Sequence, residues 1–116
     1  MNVLVIALDA EAVEVGDAEV LVVAPALNSR LRHWLSDEDG ARRRAEERVA
    51  AYVDRLVRAG AHARGSVGDA DPVQAIADAL VTFAADEIVI AADAEHSHRL
   101  ASLARKRFAL PIVQAA

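Results

Sequence analysis

Cysteine is absent from the 116-residue chain, which excludes disulfides, thiolate metal sites and cysteine nucleophiles. Aromatic residues make up only 3%, so a core has to be assembled from Ala, Val, Leu and Ile. That composition suits helix-on-sheet packing better than an aromatic-rich binding surface. Lysine occurs once, at Lys106, against twelve arginines, and the net charge is −5. An extended nucleic-acid footprint needs clustered positive charge, so no nucleic-acid partner is expected. Apolar runs fall short of the roughly 20 residues that span a bilayer. The start "MNVLVIALDAE" has neither the basic flank nor the cleavage site of an export signal. A cytoplasmic protein without a membrane partner is the expectation.

What is present is a core: 54% of the residues are hydrophobic, too many for a disordered chain. One domain over residues 1–116 fits this length. "VLVIAL" (3–8) and "EVLVVA" (19–24) are the continuous apolar runs of strands buried on both faces, the mark of parallel sheets. Ten residues, "DAEAVEVGDA", separate them, whereas a parallel crossover usually takes a dozen or more. Either a minimal crossover with a reduced first helix joins them, which is the favoured reading, or the first two strands pair differently.

"PALNSRLRHWL" (25–35) reads as a short amphipathic helix or an ordered loop. Its Arg30, Arg32 and His33 fall on the same rim as Asp9, and Trp34 either fills the core or anchors a partner. "SDED" then starts a helix capped by Ser36 and running to Arg58. Ala45, Val49, Tyr52, Val53, Leu56 and Val57 form its expected buried stripe, and Arg42/Glu46, Arg43/Glu47 and Asp54/Arg58 its i,i+4 pairs.

"AHARGSV" (61–67) is less apolar and predicts an edge strand. In "GDADPVQ", Asp71 is the expected N-cap, Pro72 the first helical residue and Gln74 the second half of a capping box. Val73, Ile76, Ala77, Leu80 and Val81 form the next stripe. "DEIVIAA" (86–92) is a central strand. A helix from about Ser97 to Arg107 turns Leu100, Leu103, Ala104 and Phe108 inward, and "LPIVQAA" is the last strand. The alternation of strand and helix predicts an α/β sandwich with a mostly parallel five-stranded sheet.

"GDADPVQAIADALVTFAADEIVIAA" followed by a helix and "LPIV", together with "VLVIALD" ending in Asp9, resembles the universal stress protein family over most of the chain. The resemblance implies a Rossmann-like, three-layer sandwich of the adenine nucleotide alpha hydrolase-like type, with strand order 3-2-1-4-5, in which the ten-residue link shortens the first helix. It also implies a homodimer through the final strand and places Asp9 where the family's nucleotide contact stands; separately, the reduced first helix leaves a sheet face to be covered by a second copy or by residues 27–35. Two departures matter. His98 and Arg99 stand where the family's glycine-rich ATP loop would end in Gly-Ser, with no glycine after Gly68, and the first helix is missing. A phosphate held between a strand end and a helix start normally requires glycine for close backbone approach.

Three uses of the rim remain open from the residues alone. Asp9 either contacts a ligand or caps a turn. "HSH" (96–98) chelates poorly on a helix, where residues two apart point different ways, so no metal is expected. Ser97, His98 and Arg99 at a helix start would form an anion site, with Arg99 supplying charge. No catalytic constellation is apparent. The expected function is a non-enzymatic, homo-oligomeric stress or regulatory binding protein that does not bind ATP in the usual way. The alternative is a nucleotide- or anion-binding signalling module using Asp9 and Arg99, with Arg30 a further ligand-binding candidate on the same rim.

Overall fold

The structure, a computed structural model, describes residues 1–9, 13–27 and 38–115. Its elements in chain order are β1 (Asn2–Ala7), β2 (Glu19–Pro25), α1 (Glu38–Arg58), β3 (His62–Gly68), α2 (Pro72–Thr82), β4 (Glu87–Ala91), α3 (Ala94–Arg107) and β5 (Ile112–Ala115). The five strands form one sheet in the order β3-β2-β1-β4-β5, and every neighbouring pair is parallel. The predicted topology and the minimal first crossover are both found. Residues 10–12 of that crossover lie outside the described residues, as do Ser36 and the whole of 28–37.

Strand alternation divides the core into two layers. Leu4, Ile6, Leu21, Val23, Ile88, Ile90 and Ile112 face α2 and α3, where Ala75, Ile76, Ala79, Leu100, Ala101 and Ala104 meet them. Val3, Val5, Val20, Val22 and Val89 face the other way, toward Ala45, Tyr52 and Leu56 of α1. Small alanines at the helix contacts let the helices sit close to a sheet that has few aromatic side chains to fill the gap.

Some expected stripes are narrower than the spacing suggests. Val57 is 52% exposed and Val81 82%, because each falls on the outer edge of its helix. The exposed pairs Arg42–Glu46 and Arg58–Asp54 do form, at 3.4 and 3.2 Å. The capping box at α2 does not. Asp71 caps the helix by accepting from the Val73 N–H at 3.0 Å. Gln74 reaches forward to Asp78 Oδ1 at 2.8 Å instead of back to the cap.

The sheet face opposite α2 and α3 is not bare. Val3, Val5, Ala7, Val89 and Ala91 are buried within one chain. The exposed apolar residue in that row is Val113, 43% accessible on β5 at the edge of the sheet and in register with Val89. Cover by a second copy is therefore not needed for the central strands, and any apolar invitation on this face is confined to the edge.

Candidate functional site

The chain fills the sheet outward from β1 through β2 to β3, then crosses back to β4 and β5. The direction reverses between β1 and β4, and the crevice beyond the carboxyl ends of those strands is where ligands bind in open α/β sheets. A cleft of ≈ 430 Å³ lies there, within the range of about 300–1,000 Å³ typical of small-molecule sites. Its apolar walls are Leu8, Leu27, Pro72, Val73, Leu100 and Leu103. Its polar lining is Asp9, Asp71, Asp93, His96 and Arg99.

Asp9 is held from both layers of the fold. Its carboxylate Oδ2 accepts the Asp93 N–H at 2.8 Å, tying the end of β1 to the start of α3. Its carbonyl accepts the Tyr52 hydroxyl of α1 at 2.7 Å. Arg48, one turn before Tyr52 on α1, extends its guanidinium toward the terminal carbonyls of β1 and β2, Ala7 and Pro25, at 3.4 Å each. Burial pushes the Arg48 guanidinium below the ordinary arginine value, and the Asp9 carboxylate nearby acts in the opposite direction. The C-terminal rim is thus braced by α1 residues that face the core, not the solvent.

Two helix N-termini meet the cleft, and each is capped by its own aspartate. Asp71 caps α2, and Asp93 caps α3 by accepting the His96 N–H at 3.0 Å. A helix N-terminus attracts anions through its unsatisfied N–H groups and its dipole. At both ends that role is already filled by a carboxylate. The connection from β4 to α3 is Ala92 and Asp93 alone, without the glycine that lets a backbone approach a phosphate closely.

The helix start also relocates the expected anion site. Asp93 caps α3 and the helix begins at Ala94, three residues before Ser97. Ser97 therefore lies in the second half of the first turn, with its N–H committed to the Asp93 carbonyl at 2.9 Å. Its side chain is fully buried, with the Ala94 carbonyl at 3.3 Å and Gln114 Oε1 at 3.2 Å within reach of the hydroxyl. It joins α3 to β5. His98 is exposed and does not line the cleft. Arg99 does line it, with its guanidinium 3.8 Å from Glu95 in an exposed pair. Arg30, with Arg32, His33 and Trp34, lies outside the described residues. Among the described residues no group of His, Asp and Glu is arranged to hold a metal, and no helix is long and apolar enough to cross a membrane.

His96 is the rim residue that sequence reasoning treated only as half of a metal pair. Its Nδ1 lies 2.5 Å from Asp93 Oδ2. The hydrogen bond to Asp93, reinforced by its charge, raises the His96 value above 6.5. The His96 backbone N–H, then the ring itself, lowers Asp93 below 3.8. A raised histidine contributes stability that is complete below its unfolded value and lost as pH rises through the folded one. A lowered aspartate contributes stability that is complete above its unfolded value and lost as pH falls through the folded one. Both contributions to the α3 start are complete between 3.8 and 6.5. NMR titration of the imidazole is expected to show a midpoint above 6.5, returning toward it in Asp93→Asn. A midpoint at or below 6.5 in the wild type contradicts the pair.

A doubly wound parallel sheet with a switch-point cleft defines the class: a small Rossmann-like α/β protein. Compared with protein-family models, with curated proteins and with solved structures, the chain finds no match in any of the three.

Proposed function

We propose that this chain is a universal-stress-protein-like regulatory binding protein, non-enzymatic and homodimeric, whose switch-point cleft has given up the usual ATP site. The observation that carries the reading is the self-capping of both helices at the cleft by Asp71 and Asp93. The resemblance of the sequence and the strand order 3-2-1-4-5 support the kinship. The glycine-free, two-residue connection between β4 and α3 supports the loss of phosphate binding. Support for the dimer comes from β5, an edge strand with Val113 exposed. An unpaired edge presents backbone N–H and C=O groups to a second chain.

A second reading rests on Arg99, which lines the same cleft as Asp9. It makes the protein a nucleotide- or anion-binding signalling module with these two residues as the contacts. Calorimetric titration with ATP and with inorganic phosphate separates the two. Under the first reading neither anion gives saturable heat, and Arg99→Ala behaves as the wild type does. Saturable binding that Arg99→Ala abolishes establishes the second reading and overturns the first.

A further inference from the structure

We infer that Arg105 guards the β5 edge: its guanidinium holds a backbone acceptor that a second copy of this chain needs in order to pair there, and so restrains dimerisation. This rests on the reading of β5 as the strand through which two copies meet.

The direction of the edge groups follows from the register. β5 ends the sheet and has β4 on one side only. Ile112 lies opposite Ile88 in the parallel pair, and the Ile88 N–H donates to the Pro111 carbonyl at 2.9 Å. Backbone groups alternate in direction along a strand, so the Pro111 carbonyl and the groups of Val113 turn toward β4. Those of Ile112 and Gln114 turn outward, where an added strand would pair.

The Ile112 carbonyl is already taken. Arg105, in the last turn of α3, reaches across and donates to it from Nη2 at 2.8 Å. Cationic side chains are a common means of keeping sheet edges from pairing, and this one sits on the acceptor itself. A hydrogen bond from an ionised donor is roughly twice as strong as a neutral one. A backbone N–H from an incoming strand therefore gains less than the contact it has to displace.

The side chains of the edge fit a second copy. Val113, 43% exposed, extends the row of Val5 and Val89 that is buried with Tyr52 and Leu56 of α1. Two antiparallel copies about a two-fold axis, the commonest symmetry, meet Val113 to Val113 and bury both. Centring the axis there sets the Gln114 N–H of each copy against the Ile112 carbonyl of the other, the group that Arg105 holds. The guard thus acts twice in each dimer.

Sedimentation of the full chain tests this with Arg105→Met and Lys106→Met beside the wild type. Arg105 is exposed, so methionine leaves the core intact, keeps the aliphatic stem and removes the donor. Lys106→Met removes the same charge and adds the same apolar surface one residue along. Two acceptors are released per dimer, so Arg105→Met is expected to associate at least about fivefold more tightly than the wild type. Lys106→Met is expected to match the wild type, and amide exchange at Gln114 to slow as dimer forms. A residue that only fastens α3 to β5 gives the opposite sign, because its loss loosens β5. The inference is overturned by Arg105→Met that associates no more tightly, by equal tightening in Lys106→Met, or by tightening without slower exchange at Gln114. The two failures are distinguishable. A monomeric wild type beside a dimeric Arg105→Met defeats the proposed homodimer and upholds the guard. A dimeric wild type that Arg105→Met leaves unchanged defeats the guard alone, and two monomers defeat both.

Discussion

Tyr52→Ala is expected to lower the stability by about 3–5 kcal/mol, the usual cost of truncating a buried aromatic residue. Tyr52 is 2% exposed and belongs to the layer where α1 meets Val3, Val5 and Val22. In a core with so few aromatic residues, no neighbour is large enough to fill the space it leaves. The side chain also does more than fill volume. Its hydroxyl holds the Asp9 carbonyl, and the Arg55 guanidinium stacks 4.6 Å from the ring centroid. Tyr52→Phe tests the first of these: it keeps the packing and removes the hydrogen bond to the Asp9 carbonyl, for an expected loss of about 1 kcal/mol. Urea unfolding of the two variants checks both numbers. An alanine variant within 1 kcal/mol of the phenylalanine one would mean that the packing of α1 on the sheet contributes far less than its burial indicates.

Gly68→Ala is the second large effect, and it strikes the opposite layer. A Cβ at Gly68 would lie 2.7 Å from Val23 Cγ1 and 2.9 Å from Ala75 Cβ. The Ala75 Cβ is fixed to the α2 backbone, so α2 itself has to withdraw. Overpacking of this kind costs about 1–3 kcal/mol, offset in part by about 0.4–1 kcal/mol from the stiffer unfolded chain. The movement has a functional consequence as well. Asp71, Pro72 and Val73 at the start of α2 form one wall of the cleft, three to five residues beyond Gly68. The variant is expected to be less stable and to show displaced Val73 methyl resonances. A variant as stable as the wild type, with Val73 unmoved, contradicts the close approach.

Both effects depend on features that differ in how visible they were in the sequence. The strands were plain because a sheet covered on both faces produces unbroken apolar runs, as in "VLVIAL" and "EIVIAA". The short first crossover was legible only as one of two readings, because a ten-residue link falls just below the usual length of a parallel crossover. The cap at Asp71 was legible because Pro72 marks the first helical residue. The cap at Asp93 was not. It follows Ala91 and Ala92 with no glycine or proline to punctuate the turn, so the helix was expected only from Ser97. That displacement of three residues moved Ser97 from a helix end to a buried joint with Gln114, and it hid the Asp93–His96 pair. A useful signal was the spacing itself: an acid three residues before a polar residue matches an N-cap and its N3 position.

Arg48 and Tyr52 were missed as site residues for a different reason. They are one helical turn apart on α1, where periodicity marks them only as an edge and a member of a buried stripe. Their reach to Ala7, Pro25 and Asp9 is a tertiary fact, set by where α1 crosses the strand ends. The glycine gap after Gly68 is legible in the sequence, and in the fold it falls on the two-residue connection between β4 and α3.

The proposed replacement of an external phosphate by internal carboxylates is the central claim, and native mass spectrometry with and without ATP tests it most directly. The account predicts a species of twice the 12.3 kDa chain mass, with no increment when ATP is added. An increment of one nucleotide per chain would contradict it, because the capped helix ends would then be binding phosphate after all.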